Sequence, residues 1–287
     1  MSLLDSLLPS FLLDLAQGSL TEGEKELAYN LTVIYGLSLL SMVVLYRVLY
    51  PVFRSGPEAD HVAKVGAVAD AGALPSTASA LALVKARRSV MPKDLSGELL
   101  TRQEVEQVLE AATWAPTHHK NQPWRFTVLE GARAISDYLD FLDTWYSDHK
   151  EEIDEQEYSK FQMKLEGART AWTQQASHVV VLGMARQASE HRAAEWEEVA
   201  AVACAVQNLH LCLTTVEGAG GFWSSHTWCR RARDSGEMRD HLGLGDSEDR
   251  VLGAFVMGRV KEGKTFKSRR DDWRTKTVWK TESGTQE

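Results

Sequence analysis

Arg87-Arg88-Ser89 puts two fixed cations beside a hydroxyl. Guanidinium groups are planar and always charged, so such a pair suits a phosphate monoester. Alone it is a weak signal, because paired arginines on a helix usually form a solvated face. A second segment, Ala115 to Phe126 (APTHHKNQPWRF), changes its weight. Pro116 and Pro123 fix the backbone, and His118, His119, Asn121 and Gln122 crowd polar groups between two apolar elements. A metal reading of the two histidines lacks support, since zinc needs three or four ligands and no further His/Cys pair stands at a useful spacing. Gly218-Ala219-Gly220-Gly221 is no dinucleotide fingerprint. That motif follows a strand and opens a helix, whereas this one follows a helical pattern and opens a strand. G-x-S-x-G and Walker A motifs are absent, leaving hydrolase and NTPase chemistry without a signature.

The elements that must position these groups alternate along the chain. The pattern predicts a helix over Ser79–Arg88. Thr101 and Glu104 fit a capping box, followed by a helical face of Val105, Val108, Leu109 and Ala112 that Pro116 ends. Arg125–Leu129 reads as a strand closed by Glu130-Gly131. One long polar helical stretch, Ala134–Trp172, follows, its acids dense between Asp148 and Glu157. His178–Met184 (HVVVLGM) is a near-continuous apolar run, hence a buried strand. Ala193–Val216 reads as a long helix whose small residues Ala200, Ala201, Ala203 and Ala205 suit a dimer centre. Gly221–Ser225 and Val251–Val260 read as strands. With no regular βαβ repeat, the class is α+β.

At this point a family likeness is specific. RRS, a capped helix, APxH and QPWRF, in that order, resemble the FMN-dependent nitroreductases, especially the small bacterial members. Trp196-Glu197-Glu198 at the start of the long helix, GAGGFWSS (Gly218–Ser225), VLGAFVMG (Val251–Gly258) and a basic tail with Arg269, Arg270 and Trp279 extend it over roughly Ser79–Trp279. The resemblance implies a mixed central sheet flanked by helices, and a homodimer with FMN at the subunit interface. It assigns Arg87, Arg88 and Ser89 to the phosphate side of FMN, with Arg270 or its neighbour Arg269 as a further phosphate contact. Trp114 and His118 would reach the cofactor from the opposite subunit, and Trp223, Ser224 and Ser225 would line the flavin or its phosphate tail. The implied activity is hydride transfer from NAD(P)H to flavin N5, then to an electron-poor small molecule such as a nitroaromatic or quinone. FMN carries the chemistry, so no side chain is assigned as catalytic. Many relatives place Arg or Lys two residues after the Ser; here that residue is Met91, with Lys93 and Lys120 as conceivable substitutes. The polar stretch Asp143–Thr170 is either a lid over the flavin or a solvated surface helix. Two other readings stay open: an iodotyrosine-deiodinase-like reductive dehalogenase of halogenated phenols, with Tyr158 and Lys160 in its lid, and a flavin-binding protein without turnover.

Bulk composition bounds the rest. At 287 residues, with 44% hydrophobic and 25% charged side chains, the chain is ordinary for a globular protein. A net charge of −8 argues against nucleic acid as partner. Cys204, Cys212 and Cys229 are odd in number, lack CxxC spacing and read as reduced, mostly buried thiols. Leu27–Tyr46 carries no charged side chain. As a helix it would span roughly 30 Å, the hydrocarbon thickness of a bilayer. A core helix would carry a polar stripe; this run has only Asn30, Thr32, Ser38 and Ser41. A cleaved signal peptide would start earlier, after basic rather than acidic residues. Glu22, Glu24 and Glu26 precede the span, whereas Arg47 and Arg54 follow it, which puts the C-terminal bulk in the cytosol of a single-pass membrane protein. The expected divisions are thus an N-terminal segment of amphipathic pattern (1–26), a transmembrane helix (27–53), a flexible linker (54–78) and the FMN domain (79–287).

Overall fold

The Ser76 hydroxyl accepts from the Ser79 amide and caps helix α1, Thr77–Ala86. The computed structural model describes residues 75–187, 192–281 and 284–286. The expected N-terminal segment, the Leu27–Tyr46 span and nearly all of the linker lie outside them. Among the described residues no helix is long and apolar enough to cross a membrane.

After α1 come α2 (Arg102–Thr113), β1 (Trp124–Glu130), α3 (Gly131–Asp148), α4 (Glu155–Gln175), β2 (His178–Met184), α5 (Glu195–Thr215), β3 (Ala219–Ser224), the short helices α6 (Arg230–Arg233) and α7 (Gly236–His241), β4 (Arg250–Arg259), and a tail hairpin of β5 (Trp279–Thr281) and β6 (Gly284–Gln286). The main sheet has the order β1-β2-β4-β3. Every pairing in it is antiparallel, so the expected mixed sheet is corrected. Among the described residues its parallel character is confined to one bridge, Ser89 to Gly221.

Helices cover both faces of this sheet, which explains why β2 is buried at every residue although its neighbours are antiparallel. Val179 and Val181 join Ile135, Leu139 and Leu142 of α3 and Phe161 and Leu165 of α4. Val180 and Leu182, pointing to the other face, join Val105 and Val108 of α2, Val202 and Leu209 of α5, and Phe255 and Met257 of β4. The strand's period of two thus feeds two cores.

The expected helix Ala134–Trp172 is two helices. α3 ends at Asp148, and Asp154 then caps α4 by accepting from the amides of Gln156 (2.9 Å) and Glu157 (3.1 Å). The acid cluster that blurred the reading occupies this junction, with Glu155 and Glu157 in the first turn of α4, where the helix dipole favours anions. The stretch packs one face inward, where the Tyr146 and Phe161 rings stack inside the core at 3.6 Å between centroids. The capping box forms as read: the Glu104 amide donates to Thr101 Oγ1 (3.3 Å) and the Thr101 amide to Glu104 Oε2 (2.8 Å). Arg259 at the end of β4 pairs with the same carboxylate at 2.7 Å. The thiols are free, but only Cys229 is buried; Cys204 is exposed.

Candidate functional site

α1 ends two residues before the sequence pattern suggests, with Arg87 as its cap. Arg87-Arg88-Ser89 therefore lies on an extended strap rather than on a solvated helical face. The Val90 amide donates to the Gly221 carbonyl at 2.9 Å, and Ser89 bridges Gly221 in parallel register. Contact this close requires glycine. A Cβ at Gly220 would stand 2.7 Å from Val90 Cγ2, and one at Gly221 would stand 2.5 Å from the Val256 carbonyl oxygen. The glycine pair thus lets the strap lie on the edge of β3.

The strap forms one wall of a cleft of about 450 Å³. The opposite wall is the tail from Thr265 to Arg270. Arg87, Arg88, Lys267, Arg269 and Arg270 all line it, and among the described residues no carboxylate does. Residues from opposite ends of the domain thus make a strongly cationic cleft with the Ser89 hydroxyl. Arg88 ties the two walls, its Nε donating to the Phe266 carbonyl at 3.3 Å and its Nη1 to the carbonyls of Arg87 and Lys85.

His210, which sequence reasoning missed, supports this strap from α5. Its Nε2–H donates to the Arg88 carbonyl at 2.9 Å, leaving Nδ1 to accept from Arg87 Nη1 at 3.5 Å. The ring packs edge-on against Phe255. Burial drives its pKa down to about 4, with Arg87 pushing the same way, so it is neutral at physiological pH. Its one sequence signal is a polar residue on the apolar face of the long helix, a weak one.

β3 sends its last residues to different sides, as strand periodicity demands. Trp223 and Ser225 line a cleft of about 520 Å³ with Arg233 and Arg250, and Trp223 Nε1 donates to the Leu252 carbonyl at 2.9 Å. Ser224 faces a third cavity, an open groove of about 590 Å³ between Met91, Lys93 and α4. None of the three lines the cationic cleft.

Trp114 and His118 line none of these cavities. Trp114 is 61% exposed at the end of α2. His118 opens a turn in which His119, Lys120 and Gln122 all have positive φ (51°, 56° and 44°), a strained run for non-glycine residues. The N-terminus of α5 holds it. His118 Nδ1 meets Glu197 at 2.9 Å, and Asn121 Nδ2 donates to Glu198 Oε1 at 3.0 Å. Glu198 is fully buried and paired with Arg186. The His118 hydrogen bond, chiefly, holds the Glu197 carboxyl below its usual range. Glu198 and Arg186 as the anchor of this turn were not foreseen, although the Trp196-Glu197-Glu198 run marked the place. Lys120, in this turn, stands away from the groove that Met91 and Lys93 share. Tyr158 and Lys160 do not line that groove either: the Tyr158 hydroxyl accepts from Gln162 at 3.2 Å and Lys150 sits over its ring.

Comparison with known proteins agrees with this architecture. The "Nitroreductase family" model matches residues 84–259. The Escherichia coli K12 protein "Putative NAD(P)H nitroreductase YdjA" is 24% identical over 181 residues, which cover 62% of this chain and 87% of that protein. A nitroreductase-like family protein from Bacillus cereus superposes with a TM-score of 0.52 at 21% identity, over 71% of this chain and 97% of its own. A nitroreductase with bound FMN from Bacteroides fragilis also gives 0.52, at 20% identity over 69% and 97%. The match from the end of α1 to the end of β4 takes in both helical layers and all four strands of the main sheet: the chain belongs to the nitroreductase family.

Proposed function

We propose that this chain is an FMN-dependent oxidoreductase that takes electrons from NAD(P)H and passes them to an electron-poor small molecule of the nitroaromatic or quinone class. The observation that carries this reading is the cationic cleft, in which Arg87, Arg88 and Ser89 face Arg269 and Arg270. A phosphate monoester carries up to two negative charges and three acceptor oxygens, and the cleft offers cations on both walls with no competing carboxylate among the described residues. The residues present therefore fit the phosphate end of FMN. The names of YdjA and of the FMN-bound Bacteroides fragilis structure point the same way. When bound, FMN supplies the hydride-accepting chemistry; this chain's work is binding, orientation and electrostatics.

In this reading the strap and tail hold the phosphate, and the end of β3 takes the ribityl or ring portion, through Ser224 on one side of the strand or Trp223 and Ser225 on the other. Met91 stands in the position where relatives carry a cation, and Lys93 lines the same groove. A homodimer fits α1, which buries none of its residues and exposes Leu81 and Val84, and it fits the exposed Trp114, Trp196, Trp273 and Trp279. Trp114 and His118 would then serve the partner's cofactor. Anchoring through Leu27–Tyr46, with the catalytic domain in the cytosol, completes the proposal.

Anaerobic mixing of the purified full chain with NADH and NADPH tests it. Flavin absorbance should bleach with at least one nucleotide and return on adding a nitroaromatic or quinone. A yellow protein that neither nucleotide bleaches would contradict the oxidoreductase reading, and a protein that never retains FMN would contradict the whole proposal.

A further inference from the structure

We infer that the groove between the strap and α4 is the acceptor site, and that it selects an aromatic acceptor bearing an anionic group. The inference rests on the FMN reading above, because it takes the flavin to be held by the neighbouring strap and β3. Met91 continues that strap, and Ser224 ends that strand; both line the groove. The helix contributes a stripe of residues at 163/164, 167/168 and 171/172, one face at four-residue spacing. Gly167 leaves the middle of this wall open, since a Cβ there would meet nothing within 4 Å. The base is aromatic, formed by Trp172, Phe222 and Trp228. An open slot with an aromatic floor suits a flat ring.

Charge decides which flat ring. Lys93 stands on one wall and Lys164 on the other, and among the described residues no carboxylate lines the groove. Among the described residues neither ammonium has an ion-pair partner. The adjacent Asp94 is engaged by Lys264 at 2.9 Å, which holds its carboxyl below the usual range. The whole chain carries a net charge of −8, so this cationic rim is a local feature set against the general field. A carboxylate or phenolate on the ring would be met from either wall, whereas a cationic aromatic would be repelled from both.

The test uses the FMN-loaded full chain without nucleotide and follows the flavin spectrum while benzoate or benzamide, both redox-inert, is added. Benzoate should bind more tightly than benzamide. Lys93→Gln and Lys164→Gln should each weaken benzoate binding about fivefold, the most an exposed ion pair usually supplies, and leave benzamide unchanged. Lys164→Arg should retain the preference, and Lys160→Gln, on the same helix outside the groove, should change nothing. Equal binding of the two probes, unaltered by either glutamine, would overturn the inference; that is the result expected if a second copy or the flavin alone fills the groove. Loss of FMN retention in Lys93→Gln with the benzoate preference intact would overturn it too. In both cases the wild-type protein would still bind FMN and oxidise nucleotide, so the broader proposal would stand.

Discussion

Replacing His210 with leucine isolates what holds the phosphate cleft in shape. The histidine is 7% exposed and bonds in two directions. Losing the bond to the Arg88 carbonyl leaves a part-buried acceptor without its partner, a cost of about 1–2 kcal/mol. Losing the 3.5 Å contact to Arg87 costs less, roughly 0.5–1 kcal/mol, but it frees the guanidinium. We therefore expect His210→Leu to reduce unfolding free energy by about 2 kcal/mol, a shift of roughly 1 M in the urea midpoint. FMN should bind up to about fivefold more weakly, while riboflavin, which lacks the phosphate, should bind as before. His210→Gln, whose amide can both donate to Arg88 and accept from Arg87, should recover part of both losses. Urea melts and flavin-fluorescence titrations measure the two effects separately. Unchanged FMN affinity in the leucine variant, or equal weakening of FMN and riboflavin, would refute the link from His210 through Arg87 to phosphate.

Two further outcomes follow from the same geometry. Gly221→Ala forces a Cβ to within 2.5 Å of the Val256 carbonyl; it should cost about 1–3 kcal/mol and impair FMN retention, while Gly218→Ala, strained by its φ of 63° but free of neighbours, should cost about 1 kcal/mol and retain FMN normally. Burial also holds His226 down to about 3, as it holds His210 to about 4, so the unfolded chain binds these protons more readily than the native one. Stability should therefore be full above the unfolded value of about 6.5 and fall by a few kcal/mol as pH drops toward 4; equal urea midpoints at pH 7.5 and 5 would contradict this, and His210→Gln should flatten the slope.

Local pattern made much of the scaffold legible. His178–Met184 was readable as a buried strand because its apolar residues run unbroken, and the capping box fixed the start of α2 because both of its partners lie within four residues. Sheet direction was not readable: an apolar run reports that two faces are covered, not how neighbouring strands point. The break between α3 and α4 was masked because Asp154 caps from inside an acid-rich stretch that also suits a helix interior. At the site, Arg87, Arg88, Arg269 and Arg270 were legible by residue type, and the structure brings them to one cleft. His210 and the Arg186–Glu198 anchor were not, because their roles depend on contacts across more than a hundred residues in one case and on burial in the other. Trp223, Ser224 and Ser225 looked like one contiguous patch, yet strand alternation divides them between two cavities.

The central claim is that the strap and tail bind the phosphate of FMN, and the affinity difference between FMN and riboflavin tests it most directly. With charge-assisted contacts at about 1.5–3 kcal/mol each, the full chain should prefer FMN by roughly a hundredfold or more, and Arg87→Ala combined with Arg270→Ala should remove most of that preference while riboflavin binding stays constant. Equal affinity for FMN and riboflavin in the unaltered protein would contradict the account.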